Sequence, residues 1–218
     1  MVESRLQNAA IELMSKSMAV AELILGRKSM EDYGRRLRGL VRGLWNGSID
    51  TFAFVDSVRE ALERAFNQAW VEGARSQGIE PSERTSEEQT RLDDMIFEQS
   101  GYIPGLADWV NAQLKVDGFK MAEAQSRIPM WTNRYREVMN TAKTMAGADK
   151  KLIWVLGPTE ESCPSCLKLA GKVKRGSVWM ASGIRPQSPD LACHGVNCLC
   201  ELQPTDLPAS PGRLPSIP

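Results

Sequence analysis

The chain has 218 residues, of which 42% are hydrophobic and 25% charged, and its 27 basic and 27 acidic side chains cancel. This length and composition are ordinary for a globular protein that can bury a sizeable core. A net charge of zero excludes an overall field that would attract nucleic acid or a membrane surface.

The N-terminal stretch predicts neither a signal peptide nor a membrane span. Residues 2–25 carry Glu3, Arg5 and Glu12 among their apolar positions, so no uninterrupted apolar region follows a basic start. No apolar run reaches about 18 residues anywhere in the chain. We therefore expect no membrane partner and a reducing, cytosolic setting, where clustered cysteines indicate metal more than disulfides.

Residues 1–147 are predicted to form a body of successive helices. The first helix is predicted to end at Gly26, because the residues before it follow one helical face. That face comprises Leu6, Ala9, Ala10, Leu13, Met14, Ser17, Met18 and Ala21. A second, short and basic helix is predicted from about Met30 to Trp45.

The third and fourth helices are predicted from their boundary residues. Ser48 or Asp50 can cap the third helix, and Gly78 is placed to end it. Thr85 and Glu88 have the spacing of a capping box at the start of the fourth helix.

Glycine and proline divide the rest of the helical body. Gly101 and Pro104 should break the fourth helix before helix resumes at Leu106. The last helical stretch is predicted to be interrupted near Pro129 and to end near Gly147.

Residues 148–203, here named the cysteine module, follow a different pattern. Residues 152–156, 171–174 and 178–179 are predicted as short strands, and Trp154 and Trp179 are expected to supply apolar volume. The tail, residues 204–218, contains five prolines and is predicted to be extended or disordered. The predicted fold class is mainly α: a multi-helix body, a small β-rich zinc-knuckle module and a Pro-rich tail.

The cysteine module contains all five cysteines and the only histidine. A Cys-x-x-Cys turn lets two thiolates converge on one tetrahedral ion, and a second cluster must then supply the remaining ligands. The pattern therefore predicts a zinc site, with buried free thiols or oxidised pairs as the alternatives. The candidate metal ligands are Cys163, Cys166, Cys193, Cys198 and Cys200.

The fourth ligand is open between several residues. Cys163, Cys166 and Cys198 are the first choices, and Cys193 ranks slightly ahead of Cys200 as the fourth, with His194 also available. Metal binding worth roughly 10–16 kcal/mol could hold together a module this small.

The predicted zinc is structural, and no catalytic residue is assigned. Catalytic zinc keeps an open coordination position and usually a nearby general base. The chain has no His-Glu-x-x-His motif, and it lacks the upstream His-x-Glu or Cys-x-Glu of zinc deaminases. We expect no enzymatic activity and no small-molecule substrate.

The cysteine module resembles the closing segment of phage Mu F-like minor head (head morphogenesis) proteins. The resemblance rests on residues 152–173, LIWVLGPTEESCPSCLKLAGKV, in which a Trp-containing strand leads through an acidic turn to Cys-x-x-Cys and a Gly-Lys-Val step. Pro189 and the later Asn197-Cys198-Leu199-Cys200 match the family's proline and its Asn-Cys-x-Cys end.

The chain departs from that family's pattern at three positions. Gly195 stands where the family has histidine, His194 is displaced by one residue, and Leu199 replaces an arginine. The extra Cys193 can take the missing ligand role.

The resemblance implies a virion protein of a tailed bacteriophage or prophage, present in the host cytoplasm during assembly. It implies contacts with portal or capsid proteins, and with packaged DNA, during head assembly. The alternatives are a zinc-knuckle nucleic-acid-binding protein, served by the basic residues near the cysteines and on the second helix, and a thiol redox enzyme that uses Cys163 and Cys166.

Overall fold

A computed structural model describes residues 28–116, 118–159, 161–195 and 198–217. The helix predicted over residues 6–21 lies outside these ranges. The described chain is mainly helical and carries one small antiparallel sheet beside a cluster of cysteines. None of its helices is long and apolar enough to cross a membrane.

The helices run in chain order and are separated by short turns. They are α1 (28–45), α2 (Thr51–Arg75), α3 (Ser86–Ser100), α4 (Ile103–Gln113), α5 (Met121–Ala124), α6 (Ile128–Ala146), α7 (Pro164–Leu169) and α8 (Gly176–Ser182). Single 3-10 turns cover Pro81–Glu83 and Gln125–Arg127. The strands are β1 (Lys151–Val155), β2 (Val173–Arg175) and β3 (Glu201–Pro204).

The predicted helix caps are confirmed. The Asp50 carboxylate accepts a hydrogen bond from the Ala53 backbone N–H at 2.7 Å, which satisfies one free donor at the start of α2. Thr85 and Glu88 form the predicted capping box at the start of α3.

Two prolines stand where helices begin. Pro104 lies in the first turn of α4 and Pro129 in the first turn of α6, where a missing backbone N–H costs no helical hydrogen bond. The predicted break between the fourth helix and its continuation is thereby confirmed.

The helical body is built around the crossing of α2 and α6. Gly73 makes this crossing close, since a Cβ atom there would stand 2.2 Å from the carbonyl oxygen of Met139. Trp70 and Phe66 of α2 and Tyr135 of α6 are almost fully buried in the resulting core. Helices α1, α3 and α4 cover the same core with their apolar faces.

The sheet belongs to the cysteine module and has the strand order β2-β1-β3. Both pairings are antiparallel; Leu152 faces Lys174 of β2 on one side and Pro204 of β3 on the other. The strands predicted over 152–156 and 171–174 are confirmed within one or two residues at each end.

The strand predicted at residues 178–179 is wrong, because these residues lie in α8. A two-residue β-prone run is too short for its propensity to outweigh packing. The Trp179 ring packs on Trp154 with centroids 5.7 Å apart, and its Nε1–H donates to the Leu152 carbonyl at 3.2 Å. Gly183, with φ +69°, then ends the helix in the left-handed region.

The tail crosses the module from the edge at β3 to the edge at β2. Lys151 Nζ donates to the carbonyls of Asp206 and Leu207, and Lys174 Nζ donates to those of Ser210 and Gly212. The Ser210 N–H also donates to the Val173 carbonyl at 2.9 Å, and Leu214 and Ile217 pack against the module's apolar core.

We predict that Gly73→Ala destabilises the protein by about 1–3 kcal/mol, because the added methyl group forces α2 away from α6. Gly39→Ala is the matched control, since Gly39 is helical and a Cβ atom there meets nothing within 4 Å. That control should raise stability by up to about 1 kcal/mol. Urea unfolding of both variants measures the difference, and an equal effect would contradict the close crossing.

Candidate metal centre

Three separate segments carry the five cysteines of the candidate centre. Cys163 is the N-cap of α7, and Cys166 lies in its first turn with its backbone N–H 3.4 Å from the Cys163 sulfur. Cys193 stands in the turn before Gly195. Cys198 and Cys200 flank Leu199 in the irregular segment that leads into β3.

The sulfur atoms converge in two overlapping groups. Cys163, Cys166 and Cys193 form one group, and Cys166, Cys198 and Cys200 form the other; within each, all sulfurs lie within 4.8 Å of one another. Cys166 belongs to both groups, and its sulfur lies 4.0 Å from that of Cys198. A tetrahedral ion with Zn–S bonds of about 2.3 Å separates its sulfur ligands by about 3.8 Å. Each group of three sulfurs therefore has a spacing compatible with a metal ion, and every predicted ligand belongs to one group or the other.

The two groups differ in burial. Cys166, Cys198 and Cys200 are each no more than 6% exposed, whereas Cys163 and Cys193 are half-buried. A cavity of about 500 Å³ opens beside them and has Glu161 on its wall. Neither group of sulfurs includes a carboxylate among the described residues.

Hydrogen bonds between the cysteine side chains change the pKa values of the thiols. Bonds from the Cys166 and Cys200 side chains lower the pKa of Cys198, and the bond with Cys198 raises the pKa of Cys166. Burial works against ionisation of Cys163, but hydrogen bonds from Cys166 lower its pKa overall. Burial raises the pKa of Cys193 to about 12. A cluster that favours thiolates at some positions suits a cation, whose charge would lower the pKa of the remaining thiols.

His194 stands apart from the sulfurs. Its ring is exposed, Nδ1 lies 3.1 Å from the Pro189 carbonyl oxygen, and the residue has φ +50°. It belongs to neither group of metal-ligand atoms found among the described residues. This arrangement leaves Cys193 and Cys200 as the better-placed candidates for the fourth ligand.

Close backbone approaches shape the loop that carries the later cysteines. A Cβ atom on Gly157 would stand 2.3 Å from the Leu199 carbonyl oxygen, and one on Gly195 would stand 2.2 Å from that of Gln187. Gly195 also has φ +72°, a conformation that glycine adopts without strain. Ser165 is fully buried and accepts a hydrogen bond from the Ala192 N–H at 3.0 Å, which joins this loop to α7.

A polar stripe on α6 holds the cysteine module against the helical body. Its members are Glu137, Asn140 and Lys143, which are spaced three residues apart and share one helical face. The Glu137 carboxylate accepts from Arg185 at 3.3 Å, and Lys143 Nζ lies 3.5 Å from the Glu201 carboxylate. Between them, Asn140 bonds to the side chain of Gln187.

Neither this stripe nor Gln187 was predicted from the sequence. Polar residues at 137, 140 and 143 have the spacing of one helical face, but polar residues on a solvent-exposed face have the same spacing. Only the fold shows that these polar side chains are buried.

The basic residues around the cysteines have mostly internal partners. Lys174 Nζ donates to two carbonyls of the tail, and Lys168 Nζ donates to another at 3.5 Å. Arg175 donates to the Asp149 carbonyl. Lys172 is exposed. These contacts occupy N–H donors that could otherwise bind a phosphate, but they leave the positive charges in place.

Comparison with protein-family models, with curated proteins and with solved structures finds no match to this chain. The interpretation of the centre therefore rests on its geometry and on the sequence pattern.

Alkylation should separate the five thiols by accessibility and by pKa. In metal-free protein at neutral pH we expect Cys163 to react with iodoacetamide first, because it is half-buried and its pKa is lowered, whereas the raised pKa of Cys193 keeps that thiol protonated and the other three thiols are buried. Mass spectrometry of the peptides over time measures the order, and added zinc should protect all the ligands. Early modification of Cys166 would contradict the arrangement.

Proposed function

We propose that this protein is a non-enzymatic assembly protein of a tailed bacteriophage or prophage, of the minor head (head morphogenesis) type, with a structural zinc ion in its cysteine module. The two groups of three cysteine sulfurs, which share Cys166, carry the metal part of this proposal. The resemblance of residues 152–173 and 198–200 to the Mu F-like closing segment carries the phage part.

The donor set favours a closed structural site. Because the two groups share Cys166, a sulfur from one group can serve as the fourth ligand of the other, and no position then needs to remain for water or a substrate. Binding of a structural metal stabilises the fold that brings its ligands together, and here the ligands come from three segments of the chain. The zinc ion would then link α7 to the segment before β3.

The resembling segments have a consistent place in the fold. The Trp-containing strand is β1, the first cysteine pair begins α7, and the Gly-Lys-Val step leads into β2. The Cys-x-Cys pair leads into β3, which pairs with β1. The resembling segments thus lie beside one another in the cysteine module, which supports treating them as one motif.

Purified protein should contain one zinc ion per chain. Cys163→Ser, Cys166→Ser and Cys198→Ser should each lose most of it, because each removes a first-choice ligand. Elemental analysis of the single variants, with Cys193→Ser and Cys200→Ser beside them, identifies the fourth ligand. Zinc content that is unchanged in all five variants would contradict the metal centre.

The assembly role predicts that the protein is found in purified particles, in few copies, and that it co-purifies with portal or capsid protein. Quantitative mass spectrometry of particles from the source phage or induced prophage measures this. Absence from particles at all stages of assembly would contradict the role without affecting the metal centre.

A nucleic-acid-binding module remains the second candidate, favoured by one surface. Arg38 and Arg42 of α1 are exposed on one helical face, whereas Arg35 on the same face is paired with Asp32. Neutralised phosphates would make such binding fall steeply with salt. The double variant Arg38→Gln, Arg42→Gln should then weaken DNA binding more than Lys174→Gln does, because Lys174 Nζ already donates a hydrogen bond to the tail.

A further inference from the structure

Gln187 connects the cysteine-bearing loop to the helical body through its side-chain amide. The residue is 1% exposed, and its Nε2 donates to the carbonyl of Cys198 at 2.9 Å and to that of Cys200 at 2.8 Å. One amide group therefore fixes the backbone on both sides of Leu199. Its Oε1 accepts a hydrogen bond from Asn140 Nδ2 at 2.7 Å.

Asn140 completes the connection on the side of α6. It is also 1% exposed, and its Nδ2 donates a second bond to the Arg136 carbonyl at 3.0 Å. Its Oδ1 accepts from the Leu202 N–H at 3.4 Å, two residues beyond Cys200. Both amide side chains therefore have partners for their donors and acceptors, as buried polar groups require.

The backbone around Gln187 is arranged for this contact. Gln187 has φ +62°, a left-handed conformation that residues with a side chain rarely adopt. Gly195 packs directly on the Gln187 carbonyl, where any side chain would collide. A strained, buried glutamine with every amide atom in use indicates that its position is needed.

We infer that Gln187 and Asn140 are positioning residues for the metal centre, which hold Cys198 and Cys200 in ligand geometry and couple metal binding to docking on α6. This inference rests on the proposed structural metal site and goes beyond it, since neither residue supplies a ligand atom. Outer contacts of this kind typically change metal affinity 10–100-fold when they are removed.

The test is zinc affinity, measured on the full chain by competition with a chromogenic chelator. Gln187→Met keeps the length of the side chain but removes both ends of the connection, and it should weaken zinc binding 10–100-fold. Asn140→Leu should weaken binding in the same direction. The double variant should lose less than the product of the two single effects, because both act through one connection.

Two controls separate positioning from general destabilisation. Gln203→Met changes an exposed glutamine three residues from Cys200 and should leave zinc affinity within twofold of the parent. Lys143→Met removes the neighbouring contact between α6 and Glu201 but leaves the amide pair intact. It should lower the melting temperature of the protein while preserving the shift that zinc produces, whereas Gln187→Met should reduce that shift.

The absorption of bound Co²⁺ gives a second readout. Thiolate-to-cobalt and ligand-field bands depend on ligand geometry, so Gln187→Met should change them and Lys143→Met should not. If the parent binds zinc tightly and Gln187→Met matches it in affinity and in Co²⁺ spectrum, the inference is wrong and the metal centre stands. If the parent binds no metal, both are wrong.

Discussion

Helix α6 is shared by the two halves of the molecule, and both depend on its having one apolar and one polar buried face. Its apolar side meets α2 at the close contact over Gly73, and Tyr135 and Val138 complete that core. Its polar side, from Glu137 to Lys143, bonds to the cysteine module. A helix buried on two sides can satisfy polar side chains only if the partner supplies matching groups, which the cysteine module does.

The cysteine module needs such support because its own core is small. Trp154 and Trp179 are its largest buried side chains, only a few aliphatic residues pack around them, and its sheet has three short strands. The tail adds apolar contacts and covers the edge at β2. A metal ion would join the first cysteine pair to the last, with a binding free energy of roughly 10–16 kcal/mol as found for zinc-finger peptides at neutral pH.

The sequence predicted those features that depend on neighbouring residues. Asp50, the pair Thr85 and Glu88, and the cysteine spacing all act locally, so their roles follow from chemistry and position. The strand predicted at residues 178–179 is wrong because contacts with β1 decide the conformation of α8. Gln187 could not be predicted, since its role depends on Asn140, which is 47 residues away in the chain.

In our proposal the cysteines form one closed metal centre that holds the module together. X-ray absorption at the zinc edge of the purified full chain identifies the atoms bound to this metal. We expect four sulfur neighbours at about 2.3 Å and no oxygen or nitrogen in the first shell. A first shell with an oxygen or nitrogen neighbour, or protein purified without bound metal, would contradict it.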